Sequence, residues 1–220
     1  HLIVAHEVTN SGSDRSQLAT MAKQVKAALK TDKLDVVADR GYFNSSEILA
    51  CEEAGITVTL PKPMTSSNRI RGRFVKQDFI YLTADDVYRC PAGEHLTYHF
   101  TSVEKGLTLY RYWTTACRTC TIKDQCTSGK ERRITRWEHE RVLEAVQQRL
   151  DEHPERMRQR RETVEHPFGT IKSWMGYTHF QMKTLKHVGT EMALHVLSYN
   201  LKRVMKIMGA ATLIAAMRAA

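Results

Sequence analysis

The stretch Leu34–Leu60, LDVVADRGYFNSSEILACEEAGITVTL, decides the fold class of this chain. It opens on an almost wholly apolar run, Leu34–Ala38, which is typical of a strand buried on both faces of a parallel sheet. Asn44 and a glutamate three residues later form a capping-box pattern, so a helix is expected to begin there and to end before Gly55. A second apolar run, Ile56–Leu60, predicts another strand. The stretch therefore predicts a strand–helix–strand unit.

The residues before this stretch continue the alternation of strands and helices. His1–Val8 is rich in apolar, β-branched side chains and predicts a strand. Between Leu18 and Leu29, apolar side chains recur every three to four residues, which predicts a helix with one buried stripe. Together these elements predict an α/β core that begins with residues 1–60.

The residue composition and the hydrophobic pattern of the chain change after residue 60. Residues 65–73 are polar and basic and are expected to form an exposed loop. Short apolar runs separated by turn residues then predict strands. Residues 61–133 are therefore expected to form a small β-rich, cysteine-containing insert that interrupts the core. Its expected strands are Phe79–Leu82, Val87–Arg89, Leu96–Val103 and Leu107–Trp113.

Residues 134–209 are expected to form a helical C-terminal part of the core, with residues 210–220 as a tail. Helical periodicity begins near Val142, a second helix is expected over Pro154–Lys172, and the last over His187–Met208. One face of the last helix is apolar and is expected to be well buried. That face comprises Leu194, Leu197, Leu201, Met205 and Met208.

The composition excludes several classes of protein. Hydrophobic residues make up 42% of the chain and charged residues 26%, which rules out wholesale disorder and a collagen-like fibre. The best uncharged apolar run, Gly209–Met217, is far shorter than the ~18 residues of a membrane helix. The N-terminus does not read as a signal peptide, so we expect no membrane partner and a cytoplasmic location. Since the chain opens on His1 inside an apolar run, we expect a fragment whose upstream part is missing.

The net charge of +9 is unevenly distributed along the chain. Residues 1–60 carry six basic and eight acidic side chains, whereas residues 61–76 carry five basic side chains and no acid. Residues 166–220 carry seven basic side chains and one acid. Clustered positive charge indicates a polyanionic partner, although a solvated basic surface would show the same pattern.

Asp39 is the first candidate functional residue. It stands at the carboxyl end of the run Val36–Ala38 and is followed by the turn residue Gly41. Catalytic groups and ligands collect at that edge of a parallel sheet. A carboxylate that only caps a turn is the alternative interpretation.

Arg161, Glu165 and Lys172 form the second candidate cluster. At about 100° per residue, the three side chains share one narrow stripe of a helix. A carboxylate flanked by two bases suits a site that binds a divalent metal and phosphates together, and a surface salt bridge is the alternative. Pro167 is expected to break or kink the helix just after Glu165.

Five cysteines in a chain without an export signal indicate metal or free thiols rather than disulfides. Four of them, including one CxxC pair, can form a closed tetrahedral zinc site, and ordinary thiols or an iron–sulfur cluster are the alternatives. Cys51 is expected to be a buried apolar residue. The four candidate ligands are Cys90, Cys117, Cys120 and Cys126.

The three tryptophans allow two interpretations. Core packing is the expected role of each, and stacking on an unpaired base is the alternative. They are Trp113, Trp137 and Trp174.

Several stretches resemble insertion-sequence transposases of the DDE (Asp-Asp-Glu) class, which have a ribonuclease H-like fold. The resemblance runs from His1 to about Gly209, and the motifs are specific only when taken together. They are EVTNSGSDRSQL (Glu7–Leu18), VVADRGYF (Val36–Phe43), ACEEAGI (Ala50–Ile56), RRETVEHPFGTIK (Arg160–Lys172) and LSYNLKRVMKI (Leu197–Ile207).

The resemblance implies a role for each candidate residue. Asp39 would be the second acid of the triad and Glu165 the third, and together they would bind Mg²⁺ or Mn²⁺. Arg161 and Lys172 would hold the phosphodiester. Arg158, which stands where the motif of one large branch has a tyrosine, would be a further DNA-binding residue.

The resemblance also implies metal-dependent cleavage and transfer of DNA at transposon ends. The partners would be those ends and the target DNA, with a homodimer in the DNA complex, associated with the nucleoid. The first acid of such triads lies on the first strand of the core, whereas this chain is expected to begin at the third strand. We therefore expect an N-terminally truncated ribonuclease H-like core that lacks the first catalytic aspartate and is inactive alone. The alternative is a non-catalytic, zinc-stabilised DNA-binding module, such as a decayed transposase remnant.

Overall fold

The computed structural model describes residues 1–64 and 67–219, and it divides into two compact units. Unit 1 combines His1–Pro63 with the C-terminal stretch that begins at Val142, and unit 2 comprises Met64–Arg141. Three residues lie outside the described part: Thr65 and Ser66 of the expected exposed loop, and Ala220 at the end of the expected tail.

Unit 1 contains a parallel pair of strands with helices, which confirms the predicted α/β class. β1 and β2 pair in parallel, with Leu34 opposite Ile56. The Asn44 side chain accepts a hydrogen bond from the Ser46 backbone N–H and so caps the second helix, as its sequence pattern predicts. The first elements are α1 (Leu18–Leu29), β1 (Leu34–Val37), α2 (Ser45–Glu53) and β2 (Ile56–Thr59).

The predicted strand over His1–Val8 is wrong, because no strand forms there. The backbone N–H of Ile3 instead donates to Asn200 Oδ1 at 2.9 Å, and the Ile3 carbonyl accepts from Asn200 Nδ2 at 2.7 Å. A strand exists only where a neighbouring backbone completes its hydrogen bonds. Here the side-chain amide of Asn200 forms the hydrogen bonds of the Ile3 backbone that a neighbouring strand would otherwise form.

Unit 2 is built on an antiparallel sheet of five strands in chain order, preceded by the one-turn helix α3 (Ser67–Ile70). Its core is largely aromatic, with Phe79, Tyr88 and Tyr112 at its centre. The last strand was not predicted, because its four residues follow a polar stretch and precede a helical pattern. The strands are β3 (Ile80–Leu82), β4 (Val87–Arg89), β5 (His95–Glu104), β6 (Leu107–Trp113) and β7 (Ile134–Trp137).

The chain continues as helices after β7, as predicted for the C-terminal part. Pro167 does not break its helix just after Glu165: the α-helix runs on to Gly169, and a π-helix over Thr170–Trp174 follows. The α-helices are α4 (Glu140–Glu152), α5 (Glu155–Gly169), α6 (Leu185–Met208) and α7 (Ala210–Ala219), the last within the expected tail. None of the described helices is both long and apolar enough to span a membrane.

The core of unit 1 lies between the helices and the parallel strands. Ile48 and Val58 are at most 2% exposed, and Cys51 is fully buried, as predicted. Burial raises the pKa of Cys51 to about 11. The guanidinium of Arg149 donates two hydrogen bonds to the Val58 carbonyl and so fixes α4 to β2.

The expectation that the apolar face of α6 is well buried is wrong. α6 instead buries the side that carries Glu191 and Tyr199, because these side chains bond to the loop before α6 and to the N-terminal segment. The expected buried residues are 43–62% exposed: Leu194, Leu197, Leu201, Met205 and Met208.

Candidate functional site

Asp39 lies two residues beyond the last residue of β1, at the carboxyl end of the parallel pair. Its Oδ1 accepts a hydrogen bond from the Gly41 backbone N–H at 2.8 Å and so caps a short 3-10 turn over Arg40–Tyr42. Its Oδ2 accepts from Arg160 Nη2 at 2.9 Å. The turn-capping interpretation of Asp39 is therefore confirmed for one oxygen, while the other oxygen faces a cationic group.

Gly41 permits the close approach of the Asp39 carboxylate. A Cβ placed on Gly41 would lie 2.9 Å from Asp39 Oδ1, which is closer than real Cβ contacts allow. Any residue with a Cβ at position 41 would therefore force the Asp39 carboxylate to change its orientation.

Helix α5 meets β1 through two arginines one helical turn apart. Arg156 Nη1 lies 4.0 Å from Asp35 Oδ2 on β1, and Arg160 pairs with Asp39. Sequence reasoning assigned the phosphate-binding role to Arg161 and no role at the site to Arg160. The shared four-residue spacing of the two aspartates and the two arginines is no signal for this pairing, because four residues span ~13 Å in a strand and ~6 Å in a helix.

Tyr42 stands beside this ion pair. Burial raises the pKa of Tyr42, and the charges of Asp14 and Asp39 raise it further, while Arg160 acts in the opposite direction. Asp14 thus acts on the Tyr42 hydroxyl in the same direction as Asp39. Within residues 1–64 and 67–219, however, no group of three or more histidine, cysteine, aspartate or glutamate side chains is placed to hold a metal ion.

Glu165, Arg161 and Lys172 are all exposed. In the described part of the chain none of their side chains forms a hydrogen bond or an ion pair, so the surface salt bridge considered for Glu165 is absent. The π-helix advances about 80–90° per residue rather than about 100°, so Lys172 leaves the ideal stripe predicted for it. Arg158 is paired, at 3.5 Å, with Glu162 one turn further along α5.

The residue after Glu165 fixes this part of α5. Tyr199 donates its hydroxyl proton to the His1 carbonyl at 2.6 Å, and it can therefore accept a hydrogen bond from His166 Nδ1 at 3.0 Å. The His1 and His166 rings also lie in contact, with centroids 5.2 Å apart. Glu165 thus projects from a stretch of helix held by α6 and the N-terminal segment.

The loop after the π-helix is fixed by Glu191 of α6. The backbone N–H groups of Gln181 and Met182 donate to its carboxylate at 2.9–3.1 Å. These two hydrogen bonds hold the pKa of Glu191 below its ordinary value, and the nearby His195 contributes in the same direction. Glu191, the one acid of residues 166–220, therefore has a structural role.

The four candidate cysteine ligands line a single pocket of unit 2, together with Arg132. All four are half-buried free thiols. Burial raises the pKa of Cys126, Arg132 opposes this, and the charges of the other three cysteines add to the rise. Among the described residues they form no metal-coordinating group as placed, so the zinc interpretation stays a prediction. The pocket holds Cys90, Cys117, Cys120 and Cys126.

The tryptophans differ in burial. Trp137 is 5% exposed, which confirms core packing, and Trp113 is half-buried with His99 stacked on its ring. Core packing is wrong for Trp174, which is 82% exposed and has the Lys202 ammonium 5.9 Å from its ring centre. The π-helix that carries Trp174 is anchored by the buried Ile171 instead.

Comparison with known proteins identifies the family. A family model described as "Transposase DDE domain" matches residues 89–205, whereas no curated protein and no solved structure gives a match. Transposase DDE domains cleave and transfer DNA in transposition, and they generally use divalent metal ions. Because the family model matches more than half of the 220 residues, the chain belongs to the DDE transposase family.

Proposed function

We propose that unit 1 is part of a ribonuclease H-like catalytic core in which Asp39 and Glu165 bind Mg²⁺ or Mn²⁺ during transposition. One observation supports this proposal: Asp39 lies just beyond the carboxyl end of a parallel strand, and its Oδ2 pairs with Arg160 of the helix that also carries Glu165. Hard carboxylate oxygens that are open to solvent suit these metals.

The acidic side chains of this site bind the metal, and the basic side chains bind phosphate. Divalent cations, when bound, activate the attacking oxygen and neutralise the leaving oxygen of the phosphodiester. Asp39 and Glu165 supply oxygen ligands, and Arg161 and Lys172 are free to bind phosphate because their side chains have no partner in the described part of the chain. Arg158 can join them once it leaves the exposed pair with Glu162.

Two acids do not complete the triad that the resemblance implies. Phosphoryl transfer with two metals needs bridging carboxylates that hold both cations a few Å apart. We therefore infer that these 220 residues alone neither cleave nor join DNA. A polypeptide that also supplies the first acid should cleave and join DNA, as a homodimer bound to the transposon ends and the target.

Binding of Mn²⁺ tests the proposal on the chain itself. Electron paramagnetic resonance distinguishes free from bound Mn²⁺, and the native chain should retain a site that Asp39→Asn and Glu165→Gln each weaken at least tenfold. Glu162→Gln, which removes another exposed carboxylate of α5, is the matched control and should bind like the native chain. Equal binding by all four proteins would overturn the assignment of both acids.

A second candidate function is a zinc-stabilised DNA-binding module that performs no chemistry. It is favoured by the shared pocket of four thiols in unit 2, since a closed thiolate site serves structure rather than catalysis. Such a module would bind DNA and zinc but would show no Mn²⁺ site that depends on Asp39.

A further inference from the structure

We propose that Arg160 is a built-in counter-cation of Asp39. Its guanidinium occupies the position of the metal until DNA phosphate draws the guanidinium away. This inference rests on the proposed function, because it concerns the same carboxylate. Nothing in the family resemblance assigns Arg160, since the motif spacing falls on its neighbour Arg161.

Both oxygens of Asp39 are engaged in the structure. Gly41 N–H donates to Oδ1 and the Arg160 guanidinium to Oδ2. A divalent cation binds a carboxylate oxygen at about 2.1 Å and repels other positive charge nearby. A metal ion on Oδ2 and the guanidinium at 2.9 Å therefore compete for the same oxygen.

Arg160 is held more firmly than Arg158, another paired arginine of α5. The Arg160 side chain is 23% exposed, whereas that of Arg158 is 81% exposed. One turn earlier, Arg156 lies 4.0 Å from Asp35 of β1, which is too far for a hydrogen bond. The guanidinium is thus tethered beside Asp39, so the competition is intramolecular and persists at any protein concentration.

DNA phosphate offers the guanidinium a second partner. Arginine binds phosphate through two parallel hydrogen bonds, and a phosphodiester near Asp39 would present such a group. When Arg160 moves to phosphate, Oδ2 becomes free for the metal. DNA and metal should therefore bind cooperatively, and linkage requires that each raise the affinity of the other by the same factor.

Mn²⁺ titrations of the full chain test this inference. Arg160→Gln should bind Mn²⁺ at least about fivefold more tightly than the native chain, which is within the usual range of such couplings. Arg160→Lys keeps the charge and should stay near the native affinity. Arg156→Gln is the matched control, because it removes the same charge and one ion pair of α5 without freeing Asp39, and its affinity should change less than twofold.

A second measurement keeps the inference falsifiable if Arg160→Gln is poorly folded. Adding a short DNA duplex to the native chain should tighten Mn²⁺ binding by a similar factor, whereas the Arg160→Lys variant, with a weaker phosphate fork, should respond less. If native binding depends on Asp39 but neither Arg160→Gln nor DNA changes it, the inference is overturned and the proposed function stands. If no binding depends on Asp39 in any protein, both are overturned.

Discussion

The guanidinium of Arg160 and the carboxylate of Asp39 join two sequence motifs that lie 121 residues apart, with 2.9 Å between Nη2 and Oδ2. This ion pair joins the helix that carries Glu165 to the turn that follows β1. It also selects Arg160, rather than Arg161, as the basic residue that contacts the acid. Arg161 is left without a partner in the described part of the chain, and so it is available to phosphate.

Replacing Gly41 by alanine should disturb the site and leave the fold intact. The new Cβ would lie 2.9 Å from Asp39 Oδ1, so the carboxylate must rotate, and the φ angle of Gly41 lies outside the left-handed region. We expect Mn²⁺ binding to change at least threefold and the free energy of unfolding to change by less than about 1 kcal/mol. Gly12→Ala, where no atom lies within 4 Å of the added Cβ, is the control. Native Mn²⁺ binding by Gly41→Ala would show that the orientation of Asp39 does not matter.

DNA binding should weaken steeply as salt increases, because basic residues dominate residues 61–76 and 166–220. In fluorescence anisotropy titrations, Arg161→Gln and Lys172→Gln should each reduce the slope of log affinity against log salt by about 1. Lys23→Gln, an exposed lysine of the acidic stretch 1–60, should leave the slope unchanged. A slope that is flat for the native chain would contradict DNA binding through phosphate.

Unit 2 should carry about one zinc ion after purification without chelators. Elemental analysis of Cys117→Ser and Cys120→Ser should show loss of that zinc, because both thiols line the shared pocket. Cys51→Ala, in the core of unit 1, is the control and should retain it. Iron in place of zinc would indicate a cluster, and the absence of any metal would leave ordinary thiols.

Glu191 should stabilise the chain in a pH-dependent manner. Its pKa is held below the ordinary value of 4.5, so its stabilising effect is present above that value and is lost as the pH falls through the lowered pKa. The thermal midpoint of Glu191→Gln should thus fall short of the native one at pH 7 and approach it as the pH falls below 4.5. The exposed Glu162→Gln should show no such convergence. A difference that stays constant with pH would mean that the charge of Glu191 is not what holds the loop.

The sequence predicts those elements whose signals are local. α1, β1, α2 and β2 form where expected, since apolar periodicity and the Asn44 cap act within a few residues. The expected burial of β1 on both faces is wrong, because Asp35 is exposed and the other three residues of β1 are only half-buried. The strand expected at His1–Val8 does not form, because pairing depends on a distant neighbour and the Asn200 side chain takes that place.

The same distinction between local signals and distant partners explains why sequence reasoning did not select Arg160 at the candidate site. A helical wheel aligns Arg161 with Glu165 but does not show which face of α5 meets β1, and the structure brings Arg160 to Asp39. The apolar stripe of α6 has ideal spacing, yet the buried face is decided by the polar contacts of Glu191 and Tyr199. Which side of a helix is buried depends on its tertiary partners, and these are not encoded in the periodicity of the helix alone.

The most direct test of the central claim is to locate the bound metal by cleavage of the chain itself. Fe²⁺ loaded in place of Mg²⁺, with ascorbate and peroxide, generates hydroxyl radicals that cut the backbone only near the bound ion. We expect cuts close to both Asp39 and Glu165, suppressed by excess Mg²⁺ and lost in Asp39→Asn and in Glu165→Gln. Cuts confined to one of these positions, or unchanged in the two variants, would contradict a shared metal site.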